Sequence, residues 1–467
     1  MTVRAAVVLA LLAGVLSLGG GAPDPASAQP SRPPQALREL TRQECITLGL
    51  KHSSGVKTAL SREAVAQESL RHEKSKYFPR LSFRYYTGWT DSSLFSTEGT
   101  PVILQPRRRG FEEQVAPTYF NYFETRLELS LLRDGFLGWG SHKIARAGYS
   151  LEQAQFQVGA AKRDLAFQIE AFFLAAQKAQ LEKELYQEYV AQNRGLLNLV
   201  QEKFAHHLAA KKDVLLADAT LGQSQADLAA AEHEYQRALK QLCLVIGLPL
   251  DSRVRLSRAP QPLPSLPPFS EVTERIPTQN LDLKARQQDI NIARESLALS
   301  KKNLWPTVDL LFRYYGSDVQ HQSFKDFYAG YLFLRLPLFE YPLYADIRVK
   351  RENVSLAANS YQSAVDTALR AAVDQYKELQ DIGPQLAALQ KRIAYLEENC
   401  RDARERYRLD LISFLELHQA LLMLHQAKKD QGVLYFKYQG GYRKLLDLMG
   451  AEPPPDQPER PGPTAGR

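Results

Sequence analysis

Hydrophobic positions along this chain switch between two periods, and they do so twice. From Ser141 to about Lys203 apolar residues recur at helical spacing with no proline, which predicts one helix roughly 90–95 Å long. A further helix is expected from about Lys211 to Ile246. There Val214, Leu221, Leu228, Tyr235 and Leu242 recur every seven residues, with Ala217, Ser224, Ala231, Ala238 and Val245 three places later. Large residues facing small ones form a coiled-coil seam that lets helices approach closely. The second half carries the same seam as Leu417, Leu424, Gln431, Tyr438 and Leu445 with Ala420, Ala427, Leu434, Gly441 and Leu448, on helices expected over Tyr344–Tyr407 and Phe414–Met449.

Between the long helices the period falls to two, predicting strands at about 79–90, 119–132, 307–316 and 327–339. In the first, Leu81, Phe83 and Tyr85 oppose Ser82 and Arg84; in the second, Phe123, Leu127, Leu129 and Leu131 oppose Glu124, Arg126, Glu128 and Ser130. In the third, Val308, Leu310 and Phe312 oppose Asp309 and Arg313; in the fourth, Leu332, Leu334, Leu336 and Leu338 oppose Phe333 and Arg335. Aromatic residues crowd the strand ends (Tyr77, Phe78, Trp89, Tyr119, Phe120, Trp305, Tyr315, Tyr328), as at a membrane interface. A half-buried soluble sheet would show the same alternation. The charged opposite face, the aromatic ends and the long helices favour lipid on the apolar side. Four strands cannot close a barrel, so a barrel must be shared among subunits.

The alternation is duplicated. Ala66–Pro79 reappears as Ala293–Pro306, Phe83-Arg-Tyr-Tyr86 as Phe312-Arg-Tyr-Tyr315, and Glu202–Gly247 aligns without a gap on Glu405–Gly450. Each half reads as helix, strand pair, helix. The expected division is a first repeat over 29–250, a Pro-rich linker over 251–270, a second repeat over 271–451 and a disordered tail over 452–467. Helices are expected from Thr41 to about Lys76 and, in the second repeat, up to Asn303, and Gly383-Pro384 should kink the helix that contains it.

Residues 1–28 read as an export signal: Arg4, the apolar Val7–Leu18, then Ala26-Ser27-Ala28. Beyond them no apolar run is long enough for a spanning helix, so any membrane crossing falls to the strands. Three scattered cysteines suggest no disulfide framework, and a net charge of +7 without a concentrated basic face argues against nucleic acid. No phosphate loop, nucleophile elbow, zinc motif or paired cysteine is present, so no enzyme and no cofactor is expected. His206-His207, and His418 with His425, read as ordinary helix residues more readily than as metal ligands. Arg107-Arg108-Arg109 lies in an expected external loop, placed to meet lipid phosphates or water. An exported coiled-coil scaffold or adhesin would account for the leader and helices but gives the strands no purpose.

Several markers carry a family resemblance. They are Phe78-Pro79 and Trp305-Pro306 entering strands, Leu336-Pro-Leu-Phe339 leaving one, and the Leu-x-x-x-x-Gly ends Leu242–Gly247 and Leu445–Gly450. In their duplicated order they resemble the TolC family of outer-membrane efflux proteins. The resemblance implies a mainly α protein with a transmembrane β-barrel portion: a homotrimer with twelve shared strands and a coiled-coil tunnel in the periplasm. It further implies a passive duct in the outer-membrane lipid, docked through a periplasmic adaptor to an inner-membrane transporter.

The family's tip turn, aromatic-x-x-Gly-Leu-x-x-x-x-Asp, stands here as Phe204-Ala-His-His207-Leu208-Ala-Ala-Lys-Lys-Asp213 and Tyr407-Arg-Leu-Asp410-Leu411-Ile-Ser-Phe-Leu-Glu416. Phe204, His207, Leu208, Asp410 and Leu411 thereby become adaptor-docking candidates. Asp213, Tyr407, Glu416 and Gln419 become candidates for closing the tip, where a ring of acids favours cations. His207 and Asp410 replace the glycines, and Ile412 and Gln419 stand where the family often has a basic and an acidic residue. Solvated helix-start acids would look the same as Asp213 and Glu416 in sequence.

Overall fold

The computed structural model describes residues 38–90, 118–133, 136–137, 141–252, 254–257, 263–319 and 325–451. The expected leader, the Arg107–Arg109 loop and the tail after 451 lie outside them. In chain order the elements are β1 (Arg38–Leu40), α1 (Arg42–His52), α2 (Ser54–Ser75), β2 (Arg80–Thr90), β3 (Thr118–Arg133), β4 (Phe136–Leu137), α3 (His142–Ala205) and α4 (Lys211–Ile246). The second half continues with β5 (Val254–Leu256), α5 (Phe269–Gln279), α6 (Leu281–Lys302), β6 (Thr307–Val319), β7 (Lys325–Arg335), α7 (Tyr341–Arg408) and α8 (Phe414–Leu448). The mainly helical, duplicated architecture is therefore present.

The expected single helix over 41–76 is two helices. Ser53 is extended and its hydroxyl accepts the Val56 N–H, capping α2. The same break recurs at Asn280, whose amide oxygen accepts from the N–H groups of Asp282 and Leu283. The expected kink at Gly383-Pro384 produces no break, since α7 runs through Pro384 as one helix of 68 residues.

The stretch read as a linker is partly built into the fold. β5 pairs in parallel with β1, and Leu40, Val254 and Leu256 are buried. Further on, the carbonyls of Pro264 and Pro267 accept hydrogen bonds from Tyr438 (2.8 Å) and Tyr376 (3.1 Å). Proline cannot donate to a ladder, so this strap is held by its carbonyls.

Hydrophobic burial is strung along the helices in three clusters. One, around Leu40, Ile169, Phe173, Leu242, Ile246 and Leu256, seats the first repeat. Its counterpart, around Val272, Ile276, Leu379, Tyr438, Leu445 and Met449, seats the second. The third, with Val200, Leu396, Tyr407, Phe414, Leu417 and Leu421, lies where the long hairpins turn. Small seam residues Ala217, Ser224, Ala231 and Ala238 are buried while Val214, Leu221, Leu228 and Tyr235 are half-buried, as close helix approach requires. Buried charges tie the repeats together. Arg42 and Arg443 flank Glu170 at 3.2 and 3.6 Å, and Arg163 reaches Asp282 (3.0 Å) and Asp447 (2.9 Å).

The strands form an antiparallel sheet in the order β2-β3-β6-β7, with β4 paired to β3. Each repeat supplies one hairpin, and β3 with β6 joins them. The last strand ends at Arg335, short of the expected 339, because Pro337 has no N–H for the ladder.

Candidate functional site

Two chemically distinct places stand out, the turns joining the long helices and the charged face of the sheet. At the first turn, the His207 N–H donates to the Phe204 carbonyl (3.0 Å) and the Leu208 N–H to that of Lys203 (2.8 Å). At the second, Asp410 donates to Tyr407 (3.2 Å) and Leu411 to Arg406 (2.9 Å). Both are Schellman closures, which need a left-handed residue just past the helix. His207 and Asp410 supply it, with φ of 62° and 58°. The aromatic-x-x-Gly-Leu pattern is thus a helix C-cap written in sequence, and the chain keeps its geometry without its glycines.

Lys203 is the residue that sequence reasoning missed. Buried at the end of α3, its Nζ donates to the Tyr407 carbonyl (2.6 Å) and the Arg408 carbonyl (3.1 Å), pairs with the Asp410 carboxylate and lies 4.9 Å from the Tyr407 ring centre. A cation at the carbonyl end of α7 offsets that helix's dipole and ties one hairpin to the other. Its only sequence signal was a basic residue in the last turn of α3.

Of the tip candidates, Tyr407 is buried and packs edge-on against Phe414, and Asp213 is half-buried nearby. Burial first, then the charges of Asp213 and Asp410, push the Tyr407 phenol above its usual range, so it stays neutral. Glu416 is exposed and engaged within its own helix start: its N–H donates to Ser413 Oγ (3.3 Å), and that hydroxyl donates to Glu416 Oε1 (3.0 Å). Gln419 is exposed one turn further along α8. Asp213, Tyr407 and Asp410 are therefore brought together, and Glu416 and Gln419 are not. Phe204, Leu208 and Leu411 project into solvent, 43%, 62% and 68% exposed, beside the exposed His207. His418 stacks on Phe414 and His425 on Tyr189 (centroids 6.2 and 4.3 Å), so their ring faces serve packing.

On the sheet, register sorts side chains into two faces. Leu81 is opposite Leu127, Leu127 opposite Phe312, and Leu310 opposite Leu332, so one face is apolar. Ser82 is opposite Arg126, Arg126 opposite Arg313, and Arg84 opposite Glu124, so the other is polar. The apolar side chains splay outward, with Leu332 67% and Leu334 68% exposed, whereas Glu124 on the polar face is 3% exposed. Along its central strands the sheet buries Glu124 and Tyr122 on the polar face and leaves Leu127 and Phe312 exposed on the apolar one, as an arc of barrel wall does. Among the described residues no helix is long and apolar enough to cross a membrane.

Residues 273–450 match the outer membrane efflux protein family. The fold of the chain over nearly its whole length is that of solved channels. CusC is 14% identical with TM-score 0.74, covering 93% of this chain and 99% of its own. VceC of Vibrio cholerae is 15% identical with TM-score 0.72, covering 88% and 96%. The Campylobacter jejuni CmeC outer membrane channel is 14% identical with TM-score 0.73, covering 88% and 85%. No curated protein sequence matches. The TolC-family resemblance read from the duplicated pattern is upheld by domain and fold together. The matched family is one of outer membrane proteins.

Proposed function

We propose that three copies of this chain assemble into a passive exit duct of the outer membrane. The observation that carries the reading is the sheet: four strands, apolar outside and charged inside, with β2 and β7 each paired on one side only among the described residues. Unpaired edges invite another copy, and four strands from each of three chains make a closed twelve-stranded wall with no edge left. The long helices below it then line one continuous tunnel. Energy and substrate choice belong to an inner-membrane transporter reached through a periplasmic adaptor, so the duct needs no catalytic group.

The tip assignments follow from the same reading. Asp213, Tyr407, Glu416 and Gln419 line the closing end, and Phe204, His207, Leu208, Asp410 and Leu411 offer the exposed turns to the adaptor. The test is oligomer mass in detergent combined with single-channel recording in a planar bilayer. A trimer giving discrete conductance steps is expected; a monomer indifferent to detergent defeats the proposal.

A further inference from the structure

We infer that the barrel end of this duct prefers anions, a selectivity opposite in sign to that expected of the acidic tip. The inference rests on the duct reading, because only a closed wall turns the polar face into a lumen. Register places five arginines on that face (Arg80, Arg84, Arg126, Arg313 and Arg335) against the three carboxylates of Glu124, Glu128 and Asp309. These eight residues alone give each copy an excess of two positive charges, and register sets Lys325 on the same face.

The distribution sharpens the count, because the carboxylates are already engaged. Glu124 is buried and accepts from Arg126 Nε (3.3 Å) and from Arg313 Nε. Glu128 accepts from Arg126 Nη1 (3.2 Å), and Asp309 accepts from the Ser130 hydroxyl (2.6 Å). Two of the five arginines are thereby neutralised. Arg80, Arg84 and Arg335 are exposed and have no ion-pair partner among the described residues. The next row on this face, Tyr86, Tyr122, Ser317 and Lys325 by register, holds no carboxylate to offset them.

A low-dielectric wall focuses such a field into the water it encloses, raising the local concentration of ions of opposite sign. Rings of basic side chains select anions for this reason. The substrates this end favours carry net negative charge.

The test uses full-length protein in a planar bilayer at about 0.1 M salt, where the screening length is about 10 Å. A trivalent anion, naphthalene trisulfonate, and a polycation, spermine, are applied separately to the barrel side. Trisulfonate should block, and spermine at equal concentration should not. The triple variant Arg80→Gln, Arg84→Gln, Arg335→Gln should weaken the anion block by about tenfold or more. Conductance steps that spermine blocks and trisulfonate does not would overturn the inference and leave the duct reading standing. So would a triple variant blocked as strongly as the parent. Absence of conductance steps from an inserted trimer would defeat the duct reading and the inference with it.

Discussion

Among the described residues four helix ends close in the same left-handed way, and two of them use glycine. Gly247 and Gly450 have φ of 76° and 71°, matching His207 and Asp410 at the opposite ends of the hairpins. Space separates the two pairs. A Cβ on Gly247 would meet the His52 Cβ at 2.5 Å, and one on Gly450 the Gln279 carbonyl oxygen at 2.6 Å, whereas His207 and Asp410 stand in solvent. Left-handed backbone costs a side chain roughly 1–2 kcal/mol, part of which glycine gives back as chain entropy. His207→Gly should therefore raise the unfolding free energy of the detergent-solubilised protein by about 0.5–1 kcal/mol. Gly450→Ala should lower it by at least about 2 kcal/mol, since strain and clash add. Asp410→Gly should gain nothing, because it strips Lys203 of its carboxylate partner. A His207→Gly variant less stable than its parent would contradict this account of the turn. The sequence showed where glycine was missing but not what replaced its service. Lys203 lies 207 positions from Asp410, and no local pattern announces a contact of that range.

Long periodic elements were legible because each repeats its signal over many residues. The breaks at Ser53 and Asn280 were not, because one capping side chain suffices and the helical pattern resumes on either side. The three-residue strands β1 and β5 are too short to show a period, and the prolines around them imitate a free linker. Strand faces were read correctly, which permits a directional test. Leu332→Arg puts a charge on the apolar face and should cost about 2–4 kcal/mol of folding stability in a bilayer if it lies near the midplane. The neighbouring Phe333→Arg, on the polar face, should be tolerated in the same equilibrium measurement; equal costs would remove the assignment of faces. Between helices, burial holds the His418 and His425 imidazoles below their ordinary range. His425 faces Tyr186, Tyr189 and Glu188 of α3, Asp227 of α4, and Lys428 and Lys429 on its own helix. In the folded protein these rings resist protonation, so the unfolded chain takes up more protons as pH falls through about 6.5. Stability contributed at neutral pH should then decline toward pH 5, and His425→Phe, which keeps the ring stacking, should flatten that decline in thermal melts. An unchanged slope would assign the acid sensitivity elsewhere.

At the scale of the molecule, duplication makes the two tip turns look equivalent, and the structure shows that they are not. Asp213 and Glu416 occupy matching positions in the first turns of α4 and α8, which is why sequence alone weighted them equally. Yet Glu416 is engaged by Ser413 at its own helix start and exposed, a pattern that a solvated cap would show. Asp213 is half-buried beside Tyr407, which belongs to the other hairpin and receives Lys203 from the first. If acids at the tip narrow the duct, the one coupled to both hairpins should matter more. Asp213→Ala should raise single-channel conductance or lower cation preference further than Glu416→Ala does. The double variant should exceed either, because the two sites share no partner and their effects should add. Recording the three variants in one bilayer system decides the matter. Unchanged conductance and selectivity in all three would end the gate assignment and leave both acids as dipole partners of their helices. A larger effect from Glu416 would instead place the constriction between copies of the chain, where an exposed carboxylate has room to act.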